Sequence, residues 1–249
     1  MSGHSKWHNI KLRKGKQDAI RGKLFTRISK EIIMAAKGGG GNPDANLSLR
    51  MAVQKAKENS MPNDTIKKAI QRGTGEIEGV NYDEITYEGY APAGVAVMVL
   101  TLTDNRNRTV AELRSAFTKN GGNLGETGCV GWMFDIKGLI QIDAKLTDED
   151  SVMELTMDAG AEDIKTEDGM IEVYTPAEAF GAVRDAIETA GITMTSAELT
   201  RIPQNTITVT DVKEAQRILR MMDALDDIDD VQQVFANFDI PDEIMQELG

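Results

Sequence analysis

Between Lys23 and Lys37 the apolar residues recur with a helical period. At 100° per residue from Lys23, residues Leu24, Ile28, Ile32, Ala35 and Ala36 fall in an arc from about 100° to 220°. Lys23, Arg27, Lys30 and Lys37 fall within about 40° of zero. The pattern predicts a helix whose basic stripe lies opposite its core stripe. Gly38 to Gly41 end it, because glycine accepts left-handed dihedrals without a β-carbon clash. Asn42 and Pro43 suit the cap and first turn of a second helix, with Leu49, Val53 and Ala56 on its buried face. A third helix is expected from near Pro62 to Gly73, burying Ile66, Ala69 and Ile70. Short connections make these a three-helix bundle. Residues 1–22, rich in Gly, Lys and Arg, read as a tail running into it.

From Glu76 the period changes. Ile85–Tyr90 alternates like a strand, Ala91–Gly94 is a turn, and Val95–Leu102 is an apolar strand buried on both faces. A polar loop at Asp104–Thr109 leads into a helix to Lys119, where Asn107 or Thr109 can cap, and Val130–Phe134 reads as a strand. Next come a strand (Leu139–Ile142), a helix (Asp148–Ala159) and a strand pair (Asp163–Lys165 and Ile171–Tyr174) about the turn signal Asp168-Gly169. A helix (Pro176–Ala190) and a strand (Ile192–Leu199) follow. The order βαββαβ is the ferredoxin-like arrangement. Thr206–Thr210, a helix from Asp211 to about Asp226, and Val231–Phe235 supply the αβ elements that 80–135 lacks. The expected fold is therefore α+β and multidomain. A basic helical domain (1–78) precedes a discontinuous α/β domain (79–135 plus 205–249), into which a ferredoxin-like α/β domain (136–204) is inserted.

Composition changes this picture through charge. The 249-residue chain has a formal net charge of −12. Residues 1–75 carry 16 Lys/Arg against 5 Asp/Glu, whereas residues 76–249 carry 12 against 35. A basic head is joined to an acidic body, and a segregated basic surface suits a polyanion. Phosphate recognition needs spaced cations. The candidate nucleic-acid contacts are Lys6, Trp7, His8, Lys11, Arg13, Lys14, Lys16, Arg21, Lys23, Arg27 and Lys30. Trp7 can stack on an unpaired base, and Arg13, Arg21 and Arg27 can hold phosphate bidentately. A solvated tail and helix face is the bland alternative, and the sign imbalance weighs against it. Asn105, Arg106 and Arg108 can contact an anion or partner, or pair with the acidic body.

Enzymatic chemistry finds little support. His4 and His8 are the only histidines, so no Ser-His-Asp or Cys-His mechanism fits the body. Cys129 is the single cysteine, which excludes an internal disulfide and a multi-cysteine zinc site. The glycine clusters match neither a phosphate-binding loop nor a dinucleotide fingerprint. Asp148–Asp150 suits a helix N-terminus, and Asp226–Asp230 reads as a solvated helix end. No catalytic residue, metal or cofactor is expected. No apolar run reaches the ~20 residues that span a bilayer, and no apolar signal core is seen, so a cytoplasmic protein is expected.

Gly3-His-Ser-Lys-Trp7 and Asn9-Ile-Lys-Leu-Arg-Lys14 resemble the YebC/PmpR family. The resemblance continues through Asp18-Ala19, Arg21-Gly-Lys23, Asn42-Pro-Asp-Ala-Asn46, Tyr87-Glu-Gly-Tyr90, Asp104–Ala111, Gly121–Gly125 and Asp229–Gln232, essentially the whole chain. It implies a helical N-terminal domain followed by two α/β domains, one inserted in the other. It also implies a non-catalytic regulator of gene expression: a transcriptional regulator that binds DNA or, alternatively, a ribosome- or RNA-associated translational activator. The acidic domains would present surfaces to a protein partner.

Overall fold

A computed structural model describes residues 17–248 except 168, with side chains from Gly22 onward. The described chain divides into two compact units, 17–130 with 207–248, and 131–206. No helix among the described residues is long and apolar enough to cross a membrane.

The first unit opens with helix α1 (Gln17–Gly39), which runs through two of the four glycines before Gly40 turns left-handed at φ 85°. Helix α2 (Leu47–Glu58) begins later than the Asn42-Pro43 signal suggests, because Asn46 is its cap. The Asn46 carboxamide accepts from Leu49 N and donates to Ala35 O and Gly40 O, so one side chain starts α2 and satisfies carbonyls of α1. Asn42 instead accepts from Asp44 N and closes a local turn. Helix α3 (Asn63–Thr74) ends on Gly75 in the left-handed conformation. Ile28, Ile32, Ile33 and Ala36 of α1 pack with Leu49, Ala52, Ala56, Met61, Ile66 and Ala69. The helices approach closely where a β-carbon on Gly73 would lie 2.5 Å from Ile33 O and 2.6 Å from Ala36 Cβ.

Strands β1 (Asp83–Tyr90) and β2 (Ala96–Thr103) form an antiparallel hairpin, and β2 is buried along almost its whole length. Helix α4 (Arg106–Lys119) follows. The strand expected at Val130–Phe134 is absent: residues 131–133 form a 3-10 turn, and the short β3 (Asn123–Leu124) pairs with β1 instead. Val130 N and Gly128 N donate to the buried Glu88 carboxylate at 2.7 and 2.8 Å, so a side chain takes the place of a neighbouring strand. After the second unit the chain returns through β8 (Ile207–Thr208), helix α7 (Val212–Asp226), β9 (Val231–Ala236), β10 (Phe238–Asp239) and helix α8 (Asp242–Leu248). β9 joins the first sheet beside β2, giving the order β3-β1-β2-β9, while β8 pairs with β10 in a separate parallel ribbon. Phe117, Leu113, Ile218, Met221, Met222 and Phe238 fill the core beneath that sheet.

The second unit comprises β4 (Phe134–Asp143), α5 (Glu149–Thr156), β5 (Asp163–Glu167), β6 (Met170–Pro176), α6 (Phe180–Thr189) and β7 (Met194–Pro203). The sheet order is β5-β6-β4-β7 and every pair is antiparallel, the ferredoxin-like topology. Helix α6 starts at Phe180 because Pro176 is spent in β6. Asp148 caps α5 through Ser151 N, and that hydrogen bond holds its carboxyl below the usual carboxylate range.

Gly73 gives a discriminating test of the bundle. Glycine to alanine in an exposed helix stabilises by roughly 1 kcal/mol. Here Gly73→Ala is expected to destabilise by about 1–3 kcal/mol in urea denaturation, because the added methyl meets backbone rather than space.

Candidate nucleic-acid interface

Helix α7 ends in acids. Asp226 is its last residue, Asp227 caps it, and Asp229 and Asp230 follow. Carboxylates at a helix C-terminus meet the negative end of the dipole and exposed carbonyls, so the segment requires cations. Helix α1 supplies them at i, i+4 and i+7. Lys23 Nζ lies 3.2 Å from Asp227 Oδ1, and Arg27 Nη1 3.0 Å from Asp226 Oδ1, while Arg27 Nη2 also donates to the Asp226 carbonyl. Lys30 goes deepest. Its ammonium donates to Asp230 Oδ1 at 3.1 Å, Leu102 O at 3.1 Å and Asp229 O at 3.0 Å, which uses all three protons. The Tyr82 ring centre stands 5.3 Å away.

Asp230 is 3% exposed and Lys30 is 6% exposed. The other carboxylate oxygen of Asp230 meets Arg108 Nη2 at 2.7 Å, Arg108 Nε at 3.2 Å, Thr109 Oγ1 at 2.8 Å and Thr103 Oγ1 at 3.1 Å. Burial would raise the Asp230 carboxyl. Hydrogen bonds from Arg108, Thr109 and Lys30 outweigh it, and the group is held below the ordinary carboxylate value. Hydrogen bonds to Asp230 and Asp104 raise Arg108 above its usual value in turn. Burial pulls Lys23 and Arg27 below their ordinary values, with Asp227 opposing the shift in both.

Two readings are corrected here. Most of the basic stripe of α1 does not face open solvent: Lys23, Arg27 and Lys30 pack on the α/β part of the same unit, where Lys30 is a buried internal tie, while Lys37 stays exposed. Asp226–Asp230 is a solvated helix end only in part: Asp227 and Asp229 are exposed, but Asp230 is buried, and Asp226 and Asp227 are ion-paired to α1. In the polar loop the arginines pair with acids of the same unit. Asn105, not Asn107 or Thr109, caps α4 by accepting from Arg108 N, and Thr109 turns inward to Asp230. Arg106 pairs with Asp83 at 3.0 Å on the surface. Lys6, Trp7, His8, Lys11, Arg13, Lys14 and Lys16 lie outside the described residues, and Arg21 lies on α1 with its side chain outside them.

The open cations lie elsewhere in the bundle. Arg50 and Lys57 are exposed on α2, and Lys67, Lys68 and Arg72 are exposed on α3, none in an ion pair among the described residues. The first-third charge excess already contained them. The helical period signalled them too, because Lys67, Lys68 and Arg72 fall off the Ile66–Ala69–Ile70 face. Gln54 and Gln71, the amides among them, are held by Glu58 and Glu76. No grouping of His, Cys, Asp and Glu suited to a metal occurs among the described residues. The arrangement offers cations for phosphate oxygens rather than donors and acceptors for base edges.

A family model described as the TACO1/YebC protein N-terminal domain matches residues 5–76, and one described as the TACO1/YebC second and third domain matches residues 82–238. A probable transcriptional regulatory protein of Natranaerobius thermophilus is 56% identical over 249 residues, covering 99% of each chain. One from Dictyoglomus turgidum is 55% identical over 250 residues, covering 100% of each. The crystal structure of a conserved hypothetical protein from Aquifex aeolicus matches with a TM-score of 0.83 at 46% identity, over 90% of this chain and 92% of that one.

Removing one partner of the buried pair strands the other's charge. Asp230→Ala is expected to cost about 3–5 kcal/mol, and a double-mutant cycle with Lys30→Ala to show coupling above about 0.5 kcal/mol. Because the folded carboxyl is depressed, its contribution is complete above the ordinary carboxylate range and is lost as pH falls through the lowered value. Denaturation curves between pH 7 and 3 should show the acid-dependent loss shrinking in Asp230→Asn.

Proposed function

The chain belongs to the TACO1/YebC family, and on that premise we propose that it is a non-catalytic nucleic-acid-binding regulator of gene expression, gripping DNA through its basic N-terminal domain. The single observation that carries this reading is the set of exposed cations on α2 and α3, in no ion pair among the described residues, in a chain whose remaining two-thirds is strongly acidic. Its curated relatives carry a regulatory name rather than a catalytic one, which agrees with it.

In this mechanism Arg50, Lys57, Lys67, Lys68 and Arg72 neutralise backbone phosphates, and Lys6, Lys11, Arg13, Lys14 and Lys16 extend the contact along the strand. Trp7 and His8 add stacking or a further phosphate contact. Counterion release drives binding, so it is tolerant of sequence. The acidic units are repelled by the same phosphates. The Lys30–Asp230 tie fixes the bundle to the β3-β1-β2-β9 sheet, so a bound duplex meets one orientation of the head relative to that sheet, and the acidic α/β domains offer surfaces to a protein partner.

A salt series of gel shifts on duplex DNA tests this. With about six of these ten cations each neutralising a phosphate at one time, log K should fall against log salt with a slope of about −5. Lys67→Ala with Lys68→Ala and Arg72→Ala should weaken binding evenly across unrelated sequences and flatten the slope by about 3. Affinity that ignores salt, or survives the triple change, removes the reading. A structured RNA that outcompetes the duplex at every salt concentration replaces DNA with RNA or the ribosome as the target.

A further inference from the structure

The ion pairs between α1 and the end of α7 are graded by depth. Side-chain exposure is 8% and 4% for Lys30–Asp230, 15% and 14% for Arg27–Asp226, and 23% and 80% for Lys23–Asp227. The inner pair is saturated with hydrogen bonds, whereas Arg27 in the middle pair is not. Arg27 reaches one oxygen of the Asp226 carboxylate and one backbone carbonyl, and its Nε is buried with no partner. A guanidinium held by a single carboxylate oxygen forgoes the two-point geometry that a phosphate group offers. Lys23 is held by one carboxylate that is itself mostly in water, where such a pair is weak and screened by salt.

We propose that Asp226 and Asp227 are an internal stand-in for phosphate: they mask Lys23 and Arg27 in the free protein, and a phosphodiester chain displaces them while Lys30–Asp230 stays closed. The proposal rests on the reading of the bundle as a nucleic-acid-binding head and adds a regulated part to that surface. The spacing supports it. Lys23 and Arg27 are one turn apart on the same helix, so two neighbouring anions on the α7 end bridge them as successive phosphates would. Their desolvation supports it as well, because burial leaves both cations below their ordinary values despite their acidic partners. The exchange conserves the fold, since the tie that anchors α1 to the sheet lies at Lys30, two turns from Lys23. A polyanion already gripping α2 and α3 carries a high local density of phosphate, which favours the exchange by proximity. The acids thus set a threshold: short or weakly charged anions leave the outer pairs shut, and a duplex opens them.

Asp226→Asn with Asp227→Asn tests this beside Glu243→Gln with Glu247→Gln, which removes the same charge from the exposed face of α8. On a duplex of about 20 base pairs the first variant should bind about tenfold more tightly than wild type, because the cations are free before the DNA arrives. The α8 variant should change affinity by less than about twofold, since distant surface charges are screened. Equal effects of the two variants, or no tightening in the first, overturn the proposal. If the variant folds poorly, nitrogen-15 spectra of the arginine side chains decide it in the wild-type protein. On adding duplex, the Arg27 signals should move and those of Arg108 should stay; Arg27 signals that stay put while DNA is bound overturn it. A wild type that binds but is matched by the Asp226/Asp227 variant removes this proposal alone. Failure of both proteins to bind any duplex removes it together with the DNA reading.

Discussion

Asp230 carries a negative charge into the interior, and the rest of the first unit is arranged to satisfy it. A buried carboxylate is tolerable only when cations and hydroxyls converge on both of its oxygens. Lys30 of α1 meets one oxygen, and Arg108, Thr103 and Thr109 meet the other. Three separate stretches of chain must therefore arrive together: the long first helix, the β2–α4 turn and the α7–β9 turn. The ammonium of Lys30 then caps the carbonyls of Leu102 and Asp229, so one charge pair also completes backbone hydrogen bonding that no strand or helix provides.

That constraint redistributes the charge of the molecule. A helix with an apolar face and a basic face is ordinarily half solvated. Here α1 is covered on both sides, by α2 and α3 through isoleucines and alanine and by the acidic α7 end through Lys23, Arg27 and Lys30. The exposed cations left over are on α2 and α3, where Arg50, Lys57, Lys67, Lys68 and Arg72 are in no ion pair among the described residues. The acids that neutralise α1 are at the same time the nearest competitors for any phosphate chain that approaches it.

Most elements were legible because their periods are strong. The β2 run from Ala96 is apolar on both faces, Asp148 and Asp211 precede their helices as caps, and the βαββαβ order yields the β5-β6-β4-β7 sheet. Where the reading slipped, a longer-range bond had won. Asn46 displaced Asn42 as the cap because its carboxamide also serves Ala35 O and Gly40 O. Val130 left the sheet because the Glu88 carboxylate had already taken its N–H. β8 pairs with β10, a strand too short to signal itself by alternation.

The amino-acid sequence alone determined that one third of this chain is cationic and the remainder anionic, and which residues share a helix face, because charge and helical period are local properties. Which cations remain open was decided only by tertiary structure. Lys30 and Asp230 are 200 positions apart, as are, within a few residues, Arg27 and Asp226 and Lys23 and Asp227. Periodicity places a lysine on a face but carries no information about what that face meets. The chain had to leave the sheet at β3, form a second unit and return through α7 before those acids stood opposite α1, and only then did Lys30 enter the interior and Lys23 and Arg27 become half-buried partners of acids.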